Sequence, residues 1–150
     1  MSALAIRNAD PADHGRVVAV LDEWWGGRRM RDMLPRLFFL HFRETSFVAE
    51  RDGELAGFLA AFLSQTLPDE AYVHFVGVRP AERGSGLGRD LYERFFAVAR
   101  EHGRRRVTCV TSPANEGSLA FHARLGFEAS QPQRDYDGPG EDRVVLTRAL

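Results

Sequence analysis

The sequence predicts an α/β fold in which a mixed sheet of about seven strands is flanked by about four helices. Two observations carry this prediction: an Asp-Gly pair between two apolar runs, and an alternation of strand and helix patterns in the second half of the chain. The Asp-Gly pair at 52–53 predicts an antiparallel hairpin, because these residues favour the backbone angles of a tight turn. Strands that are joined through helices run parallel, so the sheet combines both directions.

The first half of the chain predicts one strand, two helices and the hairpin. Asp10 and Pro11 follow the first strand, and an N-cap acid before a proline is a helix start. Apolar residues at helical spacing continue to Trp25 and recur after Pro35, which predicts a second, short helix. The predicted bounds are 4–9 for the strand, about 11–25 and 34–42 for the helices, and 46–51 and 54–63 for the hairpin strands.

The second half of the chain alternates strands with helices. β-Branched and aromatic residues predict a strand over 70–79, whose strict alternation places Tyr72, His74, Val76 and Val78 on one face. Glycines past the last periodic residues end the two following helices. The predicted bounds are 87–102 and 115–125 for these helices and 106–111 and 142–150 for strands, in the overall order β-α-α-β-β-β-α-β-α-β-β.

Length, charge and cysteine content bound the class of protein. The chain has 150 residues, 44% of them hydrophobic, which predicts a single domain over 1–150. Its 20 Lys and Arg and 21 Asp and Glu give a net charge of −1, which argues against a nucleic-acid partner. One cysteine, Cys109, excludes an internal disulfide, and no segment has the pattern of a signal peptide or a membrane span. We therefore expect a cytoplasmic protein without a nucleic-acid or membrane partner, and no metal-ligand spacing is visible.

The segment RGSGLGR, residues 83–89, lies where a strand is predicted to turn into a helix. The first backbone N–H groups of a helix have no partner within it, and glycine lets a ligand approach the main chain closely. With the helix dipole behind it, such a turn favours a phosphate group. The glycine spacing GxGxG and the absence of lysine match neither the dinucleotide fingerprint nor the Walker A motif. A glycine-rich connection without a ligand is the alternative.

Two motifs resemble those of the GNAT superfamily of N-acetyltransferases. The run 78–88, VRPAERGSGLG, is similar to the family's acetyl-coenzyme A motif [RQ]-x-x-G-x-[GA], and NEGSLAFHARLGFE at 115–128 resembles its second motif. The element order is similar from Ile6 to Leu150. The resemblance implies acetyl-CoA as cosubstrate, with its pyrophosphate on the backbone of the glycine segment. The coenzyme-binding residues that it implies are Val76, Val78, Arg83, Gly84, Ser85, Gly86, Leu87, Gly88, Arg89, Asn115 and Ser118.

The resemblance also implies where the chemistry takes place. Acetyl transfer to an amine needs a neutral nucleophile, a donor to the developing oxyanion and a proton for the leaving thiolate. The main-chain N–H of Val76 is the implied oxyanion donor. His122 stands where the family usually carries a tyrosine acid, so it is a candidate general acid; alternatively it only packs on the cofactor, or the thiolate leaves with a proton from water. His74 and Glu70 are candidate general bases, the alternatives being a hydrogen-bonded sheet histidine and a solvated strand end.

The family resemblance places the acceptor between the segments 24–33 and 135–142. Carboxylates around Tyr136 would attract a cationic amine, although a solvated loop is the simpler interpretation. The arginines of the first segment fit an acceptor that bears a carboxylate, or coenzyme phosphates. Helical spacing predicts that Trp24 is in the core and Trp25 is exposed, the alternative being that both rings form a pocket wall. The candidate substrate residues are Trp25, Arg28, Tyr72 and Tyr136.

Three functions follow from these motifs. The leading prediction is an acetyl-CoA-dependent N-acetyltransferase that acts on the primary amine of a small molecule by direct attack in a ternary complex. The alternatives are a protein or peptide N-acetyltransferase and a coenzyme A-binding module without catalysis. The apolar C-terminal strand would permit a homodimer.

Overall fold

The computed structural model describes residues 3 to 150 and confirms the predicted class and order of elements. Seven strands form one sheet in the order β1-β2-β3-β4-β5-β7-β6. The strands are β1 Leu4–Asn8, β2 Phe47–Arg51, β3 Glu54–Leu63, β4 Glu70–Val78, β5 Arg106–Thr111, β6 Glu128–Ala129 and β7 Val144–Ala149. The helices are α1 Asp13–Trp24, α2 Leu37–Leu40, α3 Leu87–Glu101 and α4 Glu116–Arg124, with short 3-10 turns at Arg31–Met33, Arg43–Thr45 and Pro80–Glu82.

The chain divides into two compact units. The first contains the residues up to Phe62 together with Val73–Val98, and the second contains Leu63–Tyr72 and Ala99–Leu150. Strand β4 and helix α3 therefore contribute residues to both units. A single domain over 1–150 stays a prediction.

The first unit is built on the predicted hairpin. β2 pairs antiparallel with both β1 and β3, and Asp52 and Gly53 take positive φ angles of 54° and 83° in the turn between β2 and β3. One face of this sheet is covered by the apolar stripe of α1, and the core there is rich in aromatic rings because these supply large buried areas. The buried members of this cluster are Ala9, Val17, Leu21, Trp24, Leu34, Phe38, Phe39, Val48, Phe58 and Ala60.

The second predicted helix is shorter than expected. A single α-helical turn at Leu37–Leu40 stands between two 3-10 turns instead of a helix over 34–42. Pro35 explains the late start, because proline pushes the residue before it out of the helical region, and Leu34 has φ −122° and ψ 89°. At the other end Phe42 leaves the helical region with ψ 36°. Helical spacing alone did not show either boundary.

The alternation predicted for β4 is also interrupted. The ring of His74 stacks on Phe38 with centroids 4.7 Å apart, while the next residue, Phe75, contacts Trp25 at 5.1 Å. Phe38 belongs to the buried cluster of this unit, and Trp25 and Phe75 pack against the same cluster. Two consecutive residues thus contact the same side, which strict alternation cannot give and a β-bulge can. Gly77 approaches that side as well, since a Cβ atom there would lie 2.9 Å from Cη2 of Trp25. The strict alternation predicted from Tyr72 to Val78 is therefore wrong.

The second unit contains the parallel step of the sheet. The first residues of β4 pair in parallel with β5 from Glu70↔Arg106 to Tyr72↔Thr108, and β5 pairs antiparallel with β7 along its whole length. Gly126, with φ 90°, ends helix α4 as the sequence predicts. At the start of this helix the side chain of Asn115, predicted to lie near the coenzyme, accepts a hydrogen bond from the Ser118 N–H at 3.1 Å and caps the helix. The predicted mixed sheet is therefore confirmed.

Candidate active site

The glycine segment forms an open turn in front of α3. Gly84 and Gly86 take positive φ angles of 83° and 91°, which side chains other than glycine rarely adopt. A Cβ atom added to either glycine would meet no atom within 4 Å. The backbone angles therefore require glycine at these two positions, whereas crowding within the protein does not. The absence of side chains leaves the main chain accessible. Helix α3 begins at Leu87, so its N-terminal end lies directly after this turn.

The side chains of this turn bind the protein itself. Arg83 donates a hydrogen bond from Nη2 to the main-chain oxygen of Trp24 at 2.6 Å, at the carbonyl end of α1 where the helix dipole favours a cation. The Ser85 hydroxyl donates to the main-chain oxygen of Glu82. Arg83 and Ser85 therefore shape the turn through their side chains, and the part predicted to contact the coenzyme is the backbone.

Close packing surrounds the end of β4 where the thioester is predicted to lie. Gly77 is buried, and a Cβ atom there would lie 2.5 Å from Cε1 of Phe58 and 2.9 Å from Cη2 of Trp25. Trp25 is half-buried against this strand, which corrects the expectation that its ring is exposed. A bulge leaves main-chain groups of the extra residue outside the ladder, and such groups fit the predicted donor role of the Val76 N–H.

His74 is held in one orientation on the aromatic cluster. Its Nε2 atom lies 2.6 Å from the main-chain oxygen of Met33, and because a carbonyl only accepts, Nε2 carries the proton. In the neutral ring the lone pair is then on Nδ1. A general-base role for His74 would use Nδ1.

Glu70 is not the solvated strand end that the simpler interpretation proposed. Oε1 accepts a hydrogen bond from Nε of Arg106 and Oε2 accepts one from the hydroxyl of Thr108, both at 2.9 Å. Both oxygens are engaged and the side chain is 17% exposed. A base role would require one of these hydrogen bonds to break.

His122 is buried on α4, with an exposed fraction of 5%. Its Nδ1 atom lies 2.8 Å from the main-chain oxygen of Ser118 and 3.2 Å from the Ser118 hydroxyl, so Nδ1 carries the proton and donates to the carbonyl. The rings of Phe121 and Phe127 stand perpendicular to it. Burial lowers the pKa of His122, and the hydrogen bond to Ser118 opposes this only in part. The neutral ring is therefore favoured at pH 7.

The tyrosines proposed for the acceptor have different environments. Burial, followed by the nearby Cys109 and Tyr136, raises the pKa of Tyr72 to about 12, so this phenol keeps its proton. Tyr136 is half exposed.

The acidic loop around Tyr136 uses its carboxylates mainly for its own structure. Asp137 and Glu141 pair with Arg143 at 2.8 and 3.1 Å. Asp135 accepts a hydrogen bond from the Gly140 N–H, and Asp142 accepts one from the Asp135 N–H.

The arginines after α1 differ in whether they have partners. Arg29 pairs with Asp32 at 2.8 Å and Arg31 pairs with Asp22 at 3.2 Å. Asp22 also accepts hydrogen bonds from two backbone N–H groups of the same segment, which fixes the turn. Within residues 3–150 the exposed Arg28 side chain has no hydrogen bond or ion pair, so it is the cation of this segment that is available to a ligand.

Sequence reasoning missed Glu82, which is buried beside the glycine turn and bonded to two arginines. The available signal was a single acid inside the otherwise basic run RPAERGSGLGR.

In the part of the chain that the structure describes, no three His, Cys, Asp or Glu side chains are placed to hold a metal ion. The same residues include no helix that is both long and apolar enough to cross a membrane.

Comparison with known proteins identifies the family. The family model described as acetyltransferase (GNAT) family matches residues 12–127. The chain therefore belongs to the GNAT acetyltransferase family, as the two motifs predict. Membership confirms the expectation of an N-acetyltransferase with acetyl-CoA as cosubstrate, and the open backbone at Gly84 and Gly86 fits a bound pyrophosphate.

Individual relatives act on different acceptors. The chain is 30% identical over 128 residues to the 5-NmdU N-acetyltransferase of Pseudomonas phage PaMx11, covering 83% of this chain and 86% of that protein. It is 37% identical over 84 residues to the L-2,4-diaminobutyric acid acetyltransferase of Nocardia farcinica, covering 56% of this chain and only 44% of the relative.

Solved structures show the same fold. Ard1 from Thermoplasma volcanium superposes with a TM-score of 0.81 at 19% identity, covering 99% of this chain and 98% of that chain. The diaminobutyrate acetyltransferase EctA from Paenibacillus lautus, solved with its substrate and coenzyme A, gives a TM-score of 0.76 at 21% identity, covering 99% and 96%.

Proposed function

We propose that this chain transfers the acetyl group of acetyl-CoA to the primary amine of a small-molecule acceptor by direct attack in a ternary complex. The observation that carries the proposal is the glycine turn, where Gly84 and Gly86 combine positive φ angles with open space at the start of α3. Backbone N–H groups at such a turn bind phosphate without a side chain. Bound acetyl-CoA would supply the acetyl group as an activated thioester.

The proposed roles of the catalytic side chains follow from their hydrogen bonds. The N–H of Val76 donates to the developing oxyanion. His74 is the better candidate for the base, because its Nδ1 holds the lone pair, whereas both oxygens of Glu70 are already bonded. His122 is neutral, so we propose that it positions α4 and that the thiolate leaves with a proton from water, a route that a thiol pKa near 8.5 permits.

The proposed acceptor bears a carboxylate in addition to its amine. In the segment after α1, Arg28 is the cation that has no partner among the described residues. It lies three residues after Trp25, whose ring contacts Phe75, the neighbour of Val76 in β4. A guanidinium binds a carboxylate with charge-assisted hydrogen bonds. The relatives named for L-2,4-diaminobutyric acid have an acceptor of this class.

The experiment that tests the proposal measures free thiol release from acetyl-CoA against matched amines. L-2,4-diaminobutyric acid and 1,3-diaminopropane differ only in the carboxylate, and short peptides and polyamines complete the panel. We expect release with the amino acid and a KM about tenfold higher for the diamine, the value of one charge-assisted hydrogen bond. Release with peptides alone would favour the protein acetyltransferase, and coenzyme binding without release would favour the non-catalytic module.

Two glycine variants link this activity to the turn. Gly86→Ala and Gly103→Ala both place a methyl group in open space at a positive φ angle, 91° and 72° respectively. Both therefore carry a similar backbone strain. Only Gly86→Ala should raise the KM for acetyl-CoA, since Gly103 ends α3 far from the turn in sequence. Equal effects of the two variants would contradict a coenzyme site at Gly86.

A further inference from the structure

Glu82 is a buried carboxylate beside the glycine turn, one residue before the pattern [RQ]-x-x-G-x-[GA], which begins at Arg83 and does not specify it. Its exposed fraction is 6%. Arg51 donates to both of its oxygens, and Nη2 of Arg79 donates to Oε1 at 3.2 Å. Arg51 is the last residue of β2 and Arg79 follows β4, so the carboxylate is held from two strands. A buried charge is costly unless it is paired in this way.

The main chain of Glu82 leads directly into the turn. Glu82 ends the 3-10 turn Pro80–Glu82, and its N–H donates to the oxygen of Arg79 at 2.8 Å. Its carbonyl oxygen accepts from both the N–H and the hydroxyl of Ser85. The residue thus joins the fixed ends of the strands to the first residues of the glycine turn. A shift of its side chain would move the carbonyl that orders Ser85.

We propose that Glu82 is a positioning residue for the coenzyme, which fixes the direction of the backbone N–H groups of the glycine turn without touching the coenzyme. This inference rests on the proposed function, in which that turn binds acetyl-CoA. Arg51, Arg79, Glu82 and the exposed Glu54, which pairs with Arg79 at 3.2 Å, form a cluster whose charges cancel.

Positioning and simple electrostatics predict opposite results when the charge is removed. The substitution Glu82→Gln leaves the cluster with one excess positive charge near a site for phosphate, and the added Coulomb attraction would strengthen coenzyme binding. If Glu82 positions the turn, the loss of its paired hydrogen bonds loosens the backbone donors and weakens binding. The sign of the change in affinity therefore distinguishes the two effects.

The test compares Glu82→Gln with Glu54→Gln, which removes the other carboxylate from Arg79 at an exposed position (side chain 80% exposed). For Glu82→Gln we expect the KM for acetyl-CoA and the calorimetric Kd for coenzyme A to rise about tenfold. The kcat at saturating acetyl-CoA and the KM for the acceptor should stay within about twofold. Glu54→Gln should leave all four values unchanged.

A second variant addresses folding. Arg51→Lys keeps the charge and removes the two-point contact with Glu82, and we expect a smaller rise in the same two constants. The inference is overturned if Glu82→Gln binds coenzyme A as tightly as the wild type or more tightly. It is also overturned if kcat and the acceptor KM deteriorate in parallel, since that marks a general structural loss. A wild-type chain that does not bind coenzyme A at all would refute the proposed function itself.

Discussion

At the residue scale, the ring of His122 determines which proton transfers the second motif can support. A general acid must hold its proton at the working pH, and burial in an apolar site disfavours the charged imidazolium. The Nδ1 proton is already donated to the Ser118 carbonyl oxygen. His122, which the motif resemblance places where the family usually carries a tyrosine, is therefore neutral at pH 7 and hydrogen-bonded within its own helix.

This environment gives a measurable dependence of stability on pH. His122 has a folded-state pKa below the unfolded value of about 6.5, so the unfolded chain binds more protons as the pH falls through that value. The free energy of unfolding should then fall with decreasing pH, by at most about 1.4 kcal/mol per pH unit from this group. Urea unfolding between about pH 7.5 and 5 should show a flatter dependence for His122→Phe.

Above about pH 7.5 the wild type and His122→Phe should show the same dependence, because His122 is neutral in both the folded and the unfolded chain there, and this range serves as the control. The same variant tests the chemistry. With water as the proton source, His122→Phe keeps kcat within about tenfold of the wild type at pH 7, whereas a general acid typically contributes 10²-fold or more. A loss of that size, or an unchanged slope, would contradict the neutral, non-acid role.

The glycine turn in front of α3 was predictable from sequence, but the partners of the side chains around it were not. The glycine spacing identified Gly84 and Gly86 because the signal is local. The partner of Arg83 is a carbonyl 59 residues away, and that of Glu82 is an arginine 31 residues away. Spacing along the chain contains no information on such contacts, since they depend on how separate elements are packed.

At the element scale, β4 shows where periodic patterns stop predicting side-chain direction. Alternation holds only while every residue is paired, and one extra residue reverses the faces beyond it. Phe75 and Gly77 consequently pack towards Trp25 and Phe58, and the small size of Gly77 permits this approach. The composition of the segment predicted the strand, but the interruption of its alternation became visible only from the aromatic contacts of His74 and Phe75.

Two glycine-to-alanine variants test this packing. Gly77→Ala would place a methyl group 2.5 Å from Phe58 and 2.9 Å from Trp25, so we expect a loss of about 1–3 kcal/mol in the free energy of unfolding from overpacking. Gly15→Ala lies on the exposed face of α1 with no atom within 4 Å, and should gain about 0.5–1 kcal/mol. Urea unfolding of both variants measures the difference. Equal free energies for the two would refute the crowded approach at Gly77.

At the scale of the whole molecule, the element order was predictable because each element has its own local signal. Caps, turns and apolar periodicity lie within a few residues of one another. The order of the strands within the sheet, in which β7 lies between β5 and β6, was not predicted. The division into two compact units has no such signal. The first unit is discontinuous in sequence, and the boundary at 72–73 falls within β4, which the pattern treats as one strand.

We expect the two units to unfold together, as the predicted single domain requires. β4 and α3 both contribute residues to each unit, so neither unit can unfold without disrupting an element of the other. The chain supplies one probe for each: Trp24 and Trp25 lie in the first unit, and the buried Cys109 lies in the second. Tryptophan fluorescence and thiol labelling, followed across the same urea series, should give coincident transitions. If Cys109 became reactive at a urea concentration where the tryptophan signal is still native, the chain would consist of two folding units and the single-domain prediction would be wrong.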